Sequence, residues 1–132
     1  SQADSPWFPP TSTHLRLKSN GNVQWVNTFI AILFASVDGI SKCGYYSGDG
    51  SANLTITTGF QPRFILVKRS DGAGAWHVFD SVRGMGSGFE KLLQLNSNSA
   101  ELDVDYVTPS STGWTTEGTS LTNGQYIYYA HA

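Results

Sequence analysis

Short alternations of apolar and polar residues, broken by glycine- and asparagine-rich turns, set what this chain can fold into. No window carries apolar residues at helical spacing for three turns. His14-Leu15-Arg16-Leu17-Lys18 has the two-residue period of a half-buried strand. Asn20-Gly21 follows as a hairpin turn, because both positions tolerate positive φ, and a partner strand is expected from Val23 through Trp25. The run 28–35 is continuously apolar, as in a central strand covered on both faces, although periodicity alone leaves a short buried helix open. The next strand is expected at 40–46, with Ser47-Gly48-Asp49-Gly50-Ser51 as a tight turn. Alternation resumes at Leu54-Thr55-Ile56-Thr57 and breaks at Gly59-Phe60-Gln61-Pro62. Phe64-Ile65-Leu66-Val67 reads as a strand buried on both faces, and Asp71-Gly72-Ala73-Gly74 turns the chain into Ala75-Trp76-His77-Val78-Phe79-Asp80. Residues 90–95 fit a strand or one helical turn. Further short segments surround Val104, Trp114 and Tyr126, with Asn123-Gly124 before the last. Turn signals this frequent between short strands predict an all-β fold, an antiparallel β-sandwich of jelly-roll type.

The chain has 132 residues, enough for one domain that buries about two thirds of its unfolded surface. Pro6, Pro9 and Pro10 exclude a helix at the start, so residues 1–12 are expected as an extended Pro-rich arm and 13–132 as a single sandwich domain. Trp7 and Phe8 are the arm's only anchors, expected to hold it on a neighbouring subunit, with a loosely attached terminus as the alternative reading. Lys68 and Arg69 read as charges guarding a sheet edge at 63–69.

Charge narrows the partners. Charged side chains are 14% of the chain and the net charge is -2. A sequence-blind nucleic-acid binder neutralises phosphates with a basic surface, so no nucleic acid is expected. The longest wholly apolar run is far too short to span a bilayer, and no basic-then-apolar signal opens the chain, so no membrane partner is expected either. Ser, Thr, Asn and Gly make up 49 residues, giving a neutral surface of hydroxyls and amides suited to close packing against other subunits or sugars. The single cysteine, Cys43, excludes an internal disulfide framework and is expected as a buried free thiol.

Catalytic signals are thin. His77 sits beside Trp76 with Asp71 and Asp80 near in sequence, and on an alternating strand it shares a face with Phe79 while Trp76 shares the other with Val78. A rim histidine is the expectation. No nucleophile elbow precedes a helix, and Glu90, Glu101, Asp103, Asp105 and Glu117 offer no assignable acid–base pair. Gly48-Asp49-Gly50-Ser51-Ala52-Asn53 and Leu102-Asp103-Val104-Asp105 hold oxygen ligands but lack the EF-hand spacing, and an Asp-Gly stretch reads as a turn, so no calcium is assigned. The glycine loop 84–88 lacks the lysine and the strand–helix context of a phosphate cradle. No catalytic residue, metal or cofactor is therefore assigned. Four tryptophans and six tyrosines are many for this length. Any that stay exposed beside amides would stack on sugar C–H faces, and Trp76, His77 and Trp114 are the residues named for such a surface cluster.

Several stretches resemble a module of tailed-bacteriophage virion proteins described as tail fibre-like, of the marine and cyanophage type. Ser41-Lys42-Cys43-Gly44-Tyr45-Tyr46-Ser47-Gly48-Asp49-Gly50-Ser51 is similar to its Val-Gly-x-Tyr-Thr-Gly-Asn-Gly-Thr opening, with Cys43 in place of the usual Val. Gly59-Phe60-Gln61-Pro62 leading to Lys68-Arg69 resembles its Gly-Phe-x-Pro strand, and Phe79-Asp80-Ser81-Val82-Arg83-Gly84 its Phe-Asp-Ser-x-Arg-Gly. Leu95-Asn96-Ser97-Asn98-Ser99, Gly113-Trp114 and Gly124-Gln125-Tyr126-Ile127-Tyr128 complete the pattern over about 41–132. The module repeats in tandem, and the likeness of the 29–35 run to 126–132 fits such a seam. The resemblance implies a non-enzymatic structural part on the virion exterior, a tail fibre or receptor-binding module for host attachment. It implies other virion proteins as partners, a homo-oligomer (a trimer by analogy with fibres) and a host surface glycan as receptor. The rival readings are a capsid decoration protein and a free carbohydrate-binding module.

Overall fold

Among the described residues, nine strands build two antiparallel sheets that face each other. The structure, a computed structural model, describes residues 32–86 and 88–132, and residues 34–132 form one compact unit. The strands are β1 Ser41–Asp49, β2 Thr55–Thr57, β3 Phe64–Arg69, β4 Trp76–Asp80, β5 Glu90–Gln94, β6 Leu102–Val104, β7 Val107–Ser110, β8 Gly113–Thr116 and β9 Asn123–His131. The larger sheet has the order β1-β9-β3-β4-β5-β6 and the smaller β2-β8-β7. The chain crosses to the small sheet after β1, returns after β2, crosses again after β6 and returns after β8. This is the all-β antiparallel sandwich expected from the alternation.

Register decides which side chains form the core. Directly paired residues share a face, so Tyr46 and Tyr126, Tyr128 and Val67, Ala130 and Ile65, and Ile65 and Phe79 all point inward. They meet Ile56, Val107 and Trp114 of the small sheet in one buried cluster. Trp114 lies at its centre, with its ring edge-on to Tyr46 at 5.7 Å and to Tyr128 at 6.3 Å. Tyr46 stacks on Tyr126 at 5.1 Å and donates its hydroxyl to the Leu121 carbonyl at 3.0 Å, which ties β1 to the β8–β9 connection. Burial, reinforced by Tyr126, holds that phenol far above its ordinary range, so it stays a donor. Gly113 is fixed by close approach: a Cβ there would stand 2.0 Å from the Ile56 carbonyl oxygen across the β2–β8 ladder.

Several local expectations give way. The described part of the apolar run, residues 32–35, is exposed and forms no strand. Residues 34–36 instead form a strap over β1 and β9: Phe34 stacks on Tyr129 of β9 at 4.2 Å, and Ser36 Oγ accepts from the Cys43 amide of β1 at 2.9 Å. Strand β3 is not an edge but lies between β9 and β4, so Lys68 and Arg69 guard no edge. The Ser47-to-Ser51 turn is shorter than expected, since β1 runs on through Asp49 and the turn falls at Gly50, where Asp49 Oδ1 accepts from the Ser51 amide at 2.9 Å. Asn123 and Gly124 open β9 rather than forming a separate turn. Cys43 is half-exposed, not buried, because an outward position on an edge strand has no second layer over it. Residues 90–95 resolve as strand over Glu90–Gln94. The Asp80-to-Gly84 stretch is a single 3₁₀ turn, Ser81–Arg83, capped by Asp80 and closed by the left-handed Gly84. The 1–12 arm with Trp7 and Phe8, the hairpin about Asn20-Gly21 and residues 28–31 lie outside the described residues.

Candidate functional site

Strands β3 and β4 carry the two surface features where chemistry concentrates, one on each face. On the outer face, pairing aligns Tyr45 with Ile127, Ile127 with Lys68, and Lys68 with Trp76. Four adjacent strands thus present one row. Tyr45 is 82% exposed, Ile127 45% and Trp76 37%. Strand spacing separates its two aromatic ends by about 14 Å. Lys68 is half-buried and donates Nζ to the Arg69 carbonyl at 2.7 Å. Asn96 Oδ1 accepts from the Trp76 amide at 2.9 Å, which holds the end of β4 against the loop after β5. The neighbouring row of Cys43, Tyr129, Leu66, Val78 and Leu93 is better covered, with Leu66 and Val78 buried.

On the inner side, where the β3–β4 connection meets the β8–β9 connection, a pocket of about 150 Å³ opens. Val67 and Leu121 supply apolar wall, and Arg69, His77, Ser120 and Tyr126 supply polar groups. Its rim is built by an ion pair. Arg69 Nε donates to Asp71 Oδ1 at 2.7 Å, and that hydrogen bond holds the Asp71 carboxyl below its ordinary range and raises the guanidinium. Gly124 makes room for the pair. Its φ of 133° disfavours a side chain, and a Cβ there would stand 2.7 Å from Asp71 Oδ1 and 2.8 Å from Arg69 Nε. His77 is half-buried, with its ring centroid 6.3 Å from Phe79 and 6.5 Å from Tyr106. Burial, with the Lys68 charge behind it, lowers its pKa, so the imidazole is neutral at pH 7. Neither ring nitrogen has a hydrogen-bond partner among the described residues. The Tyr126 hydroxyl makes a long contact, 3.5 Å, to the Ser120 carbonyl, and the Asn123 backbone and the Arg69–Asp71 pair also act on it.

These positions separate the three residues named from the sequence. Trp76 is on the outer face and His77 on the inner, as strand alternation requires. Trp114 is 0% exposed. It therefore belongs to no surface cluster, because its strand lies in the small sheet with this ring aimed at the larger one. The oxygen-rich stretches are also engaged: Asp49 caps its own turn, and Asp103, on β6, pairs with Lys91 at 2.6 Å. No three His, Cys, Asp or Glu side chains converge among the described residues. Sequence reasoning missed Arg69, Asp71, Ser120 and Tyr126 as a set. The pocket joins 69–77 to 120–126, and only the placement of β9 beside β3 brings those stretches together. The outer row was equally hidden, since Tyr45, Lys68, Trp76 and Ile127 come from four separate segments.

One buried carboxyl lies outside both features. Glu90 on β5 is fully buried, and its Oε1 accepts from the amides of Tyr106 at 2.8 Å and Val107 at 3.1 Å. It anchors the bend between β6 and β7, where the chain changes sheets. Its Oε2 has no partner among the described residues. Burial raises its pKa against the pull of those amides.

Over residues 3–132 the sequence matches the family described as Domain of unknown function (DUF7483). The chain belongs to that family. No curated protein and no solved structure matches it. Within this DUF7483 chain, both surface features are built wholly from the matched region.

Proposed function

We propose that this DUF7483 chain is a non-enzymatic binding module on the exterior of a tailed-phage virion, within the tail fibre or receptor-binding apparatus that attaches to the host. The observation that carries the reading is the outer row Tyr45–Ile127–Lys68–Trp76, an exposed aromatic and aliphatic track across four hydrogen-bonded strands. Aromatic faces stack on the apolar C–H surfaces of sugars, and the surrounding hydroxyl and amide side chains match sugar hydroxyls. A sheet holds such a track rigidly, so binding costs little ordering. The resemblance of 41–132 to tail fibre-like modules supports the placement, and the low charge fits a surface that packs among other virion proteins, as a homotrimer by analogy with fibres. The receptor on this reading is a host surface glycan.

The placement is tested on the particle. Gold-labelled antibody against the purified domain is expected to decorate the tail or its fibres in electron micrographs of intact virions. Label on the head would overturn the fibre reading in favour of a capsid decoration protein. Absence of label from the particle would remove the virion altogether.

A further inference from the structure

We propose that the pocket between the β3–β4 and β8–β9 connections is a subsite for one neutral sugar ring. The proposal deepens the adhesion reading and rests on it for its biological sense. Its volume of about 150 Å³ is roughly half the lower limit for drug-sized ligands, so it takes a single ring and not an extended peptide or nucleotide. Its polar groups keep bonding capacity. The His77 nitrogens have no partner among the described residues, and the Tyr126 hydroxyl, held by the Ser120 carbonyl at 3.5 Å and by the Asn123 backbone, can both donate and accept. A neutral imidazole offers one donor and one acceptor, and the Ser120 and Tyr126 hydroxyls offer both. That mixture matches hydroxyl groups, which also donate and accept. The Val67 and Leu121 walls suit the C–H surface of the ring.

Charge selects against ions. The Arg69 guanidinium at the rim is paired with Asp71. An anion drawn to Arg69 meets the Asp71 carboxylate, and a cation drawn to Asp71 meets the guanidinium. Neither has a free counter-charge in the pocket, whereas a neutral polyol keeps the pair intact.

The test uses the full chain labelled with 15N and 13C at histidine. The His77 imidazole signals, assigned with His77→Gln, are followed during separate titrations with D-glucose, D-galactose, D-mannose, L-rhamnose and N-acetyl-D-glucosamine. At least one sugar is expected to give a saturable shift with a millimolar-range Kd, a usual strength for few contacts. Ala75→Leu, which fills the mouth, is expected to weaken that sugar by about tenfold or more. Tyr126→Phe, which removes one hydroxyl and keeps the ring, serves as a second variant should the first fail to fold, and is also expected to weaken binding. Val82→Ala, an exposed position on the 3₁₀ turn that does not line the pocket, is expected to leave the shift unchanged. The proposal is overturned if no sugar moves the His77 signals, if the pocket variants bind as the parent does, or if D-glucuronate binds more tightly than every neutral sugar. Tail labelling with silent His77 signals removes the subsite alone, and sugar binding by a protein absent from the particle removes the adhesion reading alone.

Discussion

Trp114→Ala is expected to lower stability by about 3–5 kcal/mol, the range for truncating a large buried aromatic. Trp114 is the point at which the two sheets meet. Its ring touches Tyr46 and Tyr128 edge-on, and its strand neighbours are Ile56 and Pro109. An alanine leaves a void that rings held by two backbone ladders collapse into only partly. Domains of this size have a total stability of about 5–15 kcal/mol, so the loss is a large share of the whole. Trp114→Phe should cost much less, because the indole Nε1 has no hydrogen bond to lose. Urea unfolding followed by far-ultraviolet circular dichroism checks both. An alanine variant as stable as the parent would mean that the sheets do not pack through this residue.

Glu90→Ala is expected to cost about 2–4 kcal/mol, since it strips the acceptor from two backbone amides at the β6–β7 bend, and a buried group left unpaired costs about 1–3 kcal/mol. Glu90→Gln keeps an acceptor oxygen on those amides and should be nearly neutral at low pH. The parent and Glu90→Gln differ further with pH. The folded-state pKa of Glu90 is raised above its ordinary value of 4.5, burial outweighing the amide hydrogen bonds, with Asp105 adding to the rise. The folded chain therefore holds this proton more tightly than the unfolded chain. Its contribution is complete below the unfolded value and is lost as pH rises through the folded one. Asp49, Asp71 and Asp80 act in the opposite sense: their folded values are lowered, so what they add is present above the ordinary aspartate value of 3.8 and fades as pH falls. Stability measured from pH 4 upward should thus fall for the parent relative to Glu90→Gln, and the difference should level off once Glu90 is ionised. A difference independent of pH would show that Glu90 titrates normally.

Local periodicity carried the class of fold but not its assembly. The alternation of Trp76 to Asp80 assigned His77 and Trp76 to opposite faces, and the apolar run of β3 marked a strand covered on both sides. Both are properties of a few neighbouring residues. Sheet order is different, because it depends on pairings between segments far apart in the chain, such as β1 with β9. Lys68 and Arg69 look like edge charges until β9 is placed beside them. The same ladder turns Lys68 into the middle of an exposed row and Arg69 into the rim of a pocket. Trp114 looks like any tryptophan in a strand until the small sheet is turned to face the large one. The apolar run fails as a strand for a related reason: Phe34 stacks on Tyr129 in a strap over the sheet, and apolar residues are needed there as well as within it.

The proposal that the outer row is an adhesive face is tested most directly by adsorption of the purified domain to bacterial host envelopes. Saturable adsorption is expected, falling by about tenfold or more in the doubly substituted Tyr45→Ala, Trp76→Ala chain, whose dichroism and unfolding midpoint should stay close to the parent's because both side chains stand on the solvent side. Equal adsorption by the parent and this variant, or none by either, would contradict the account.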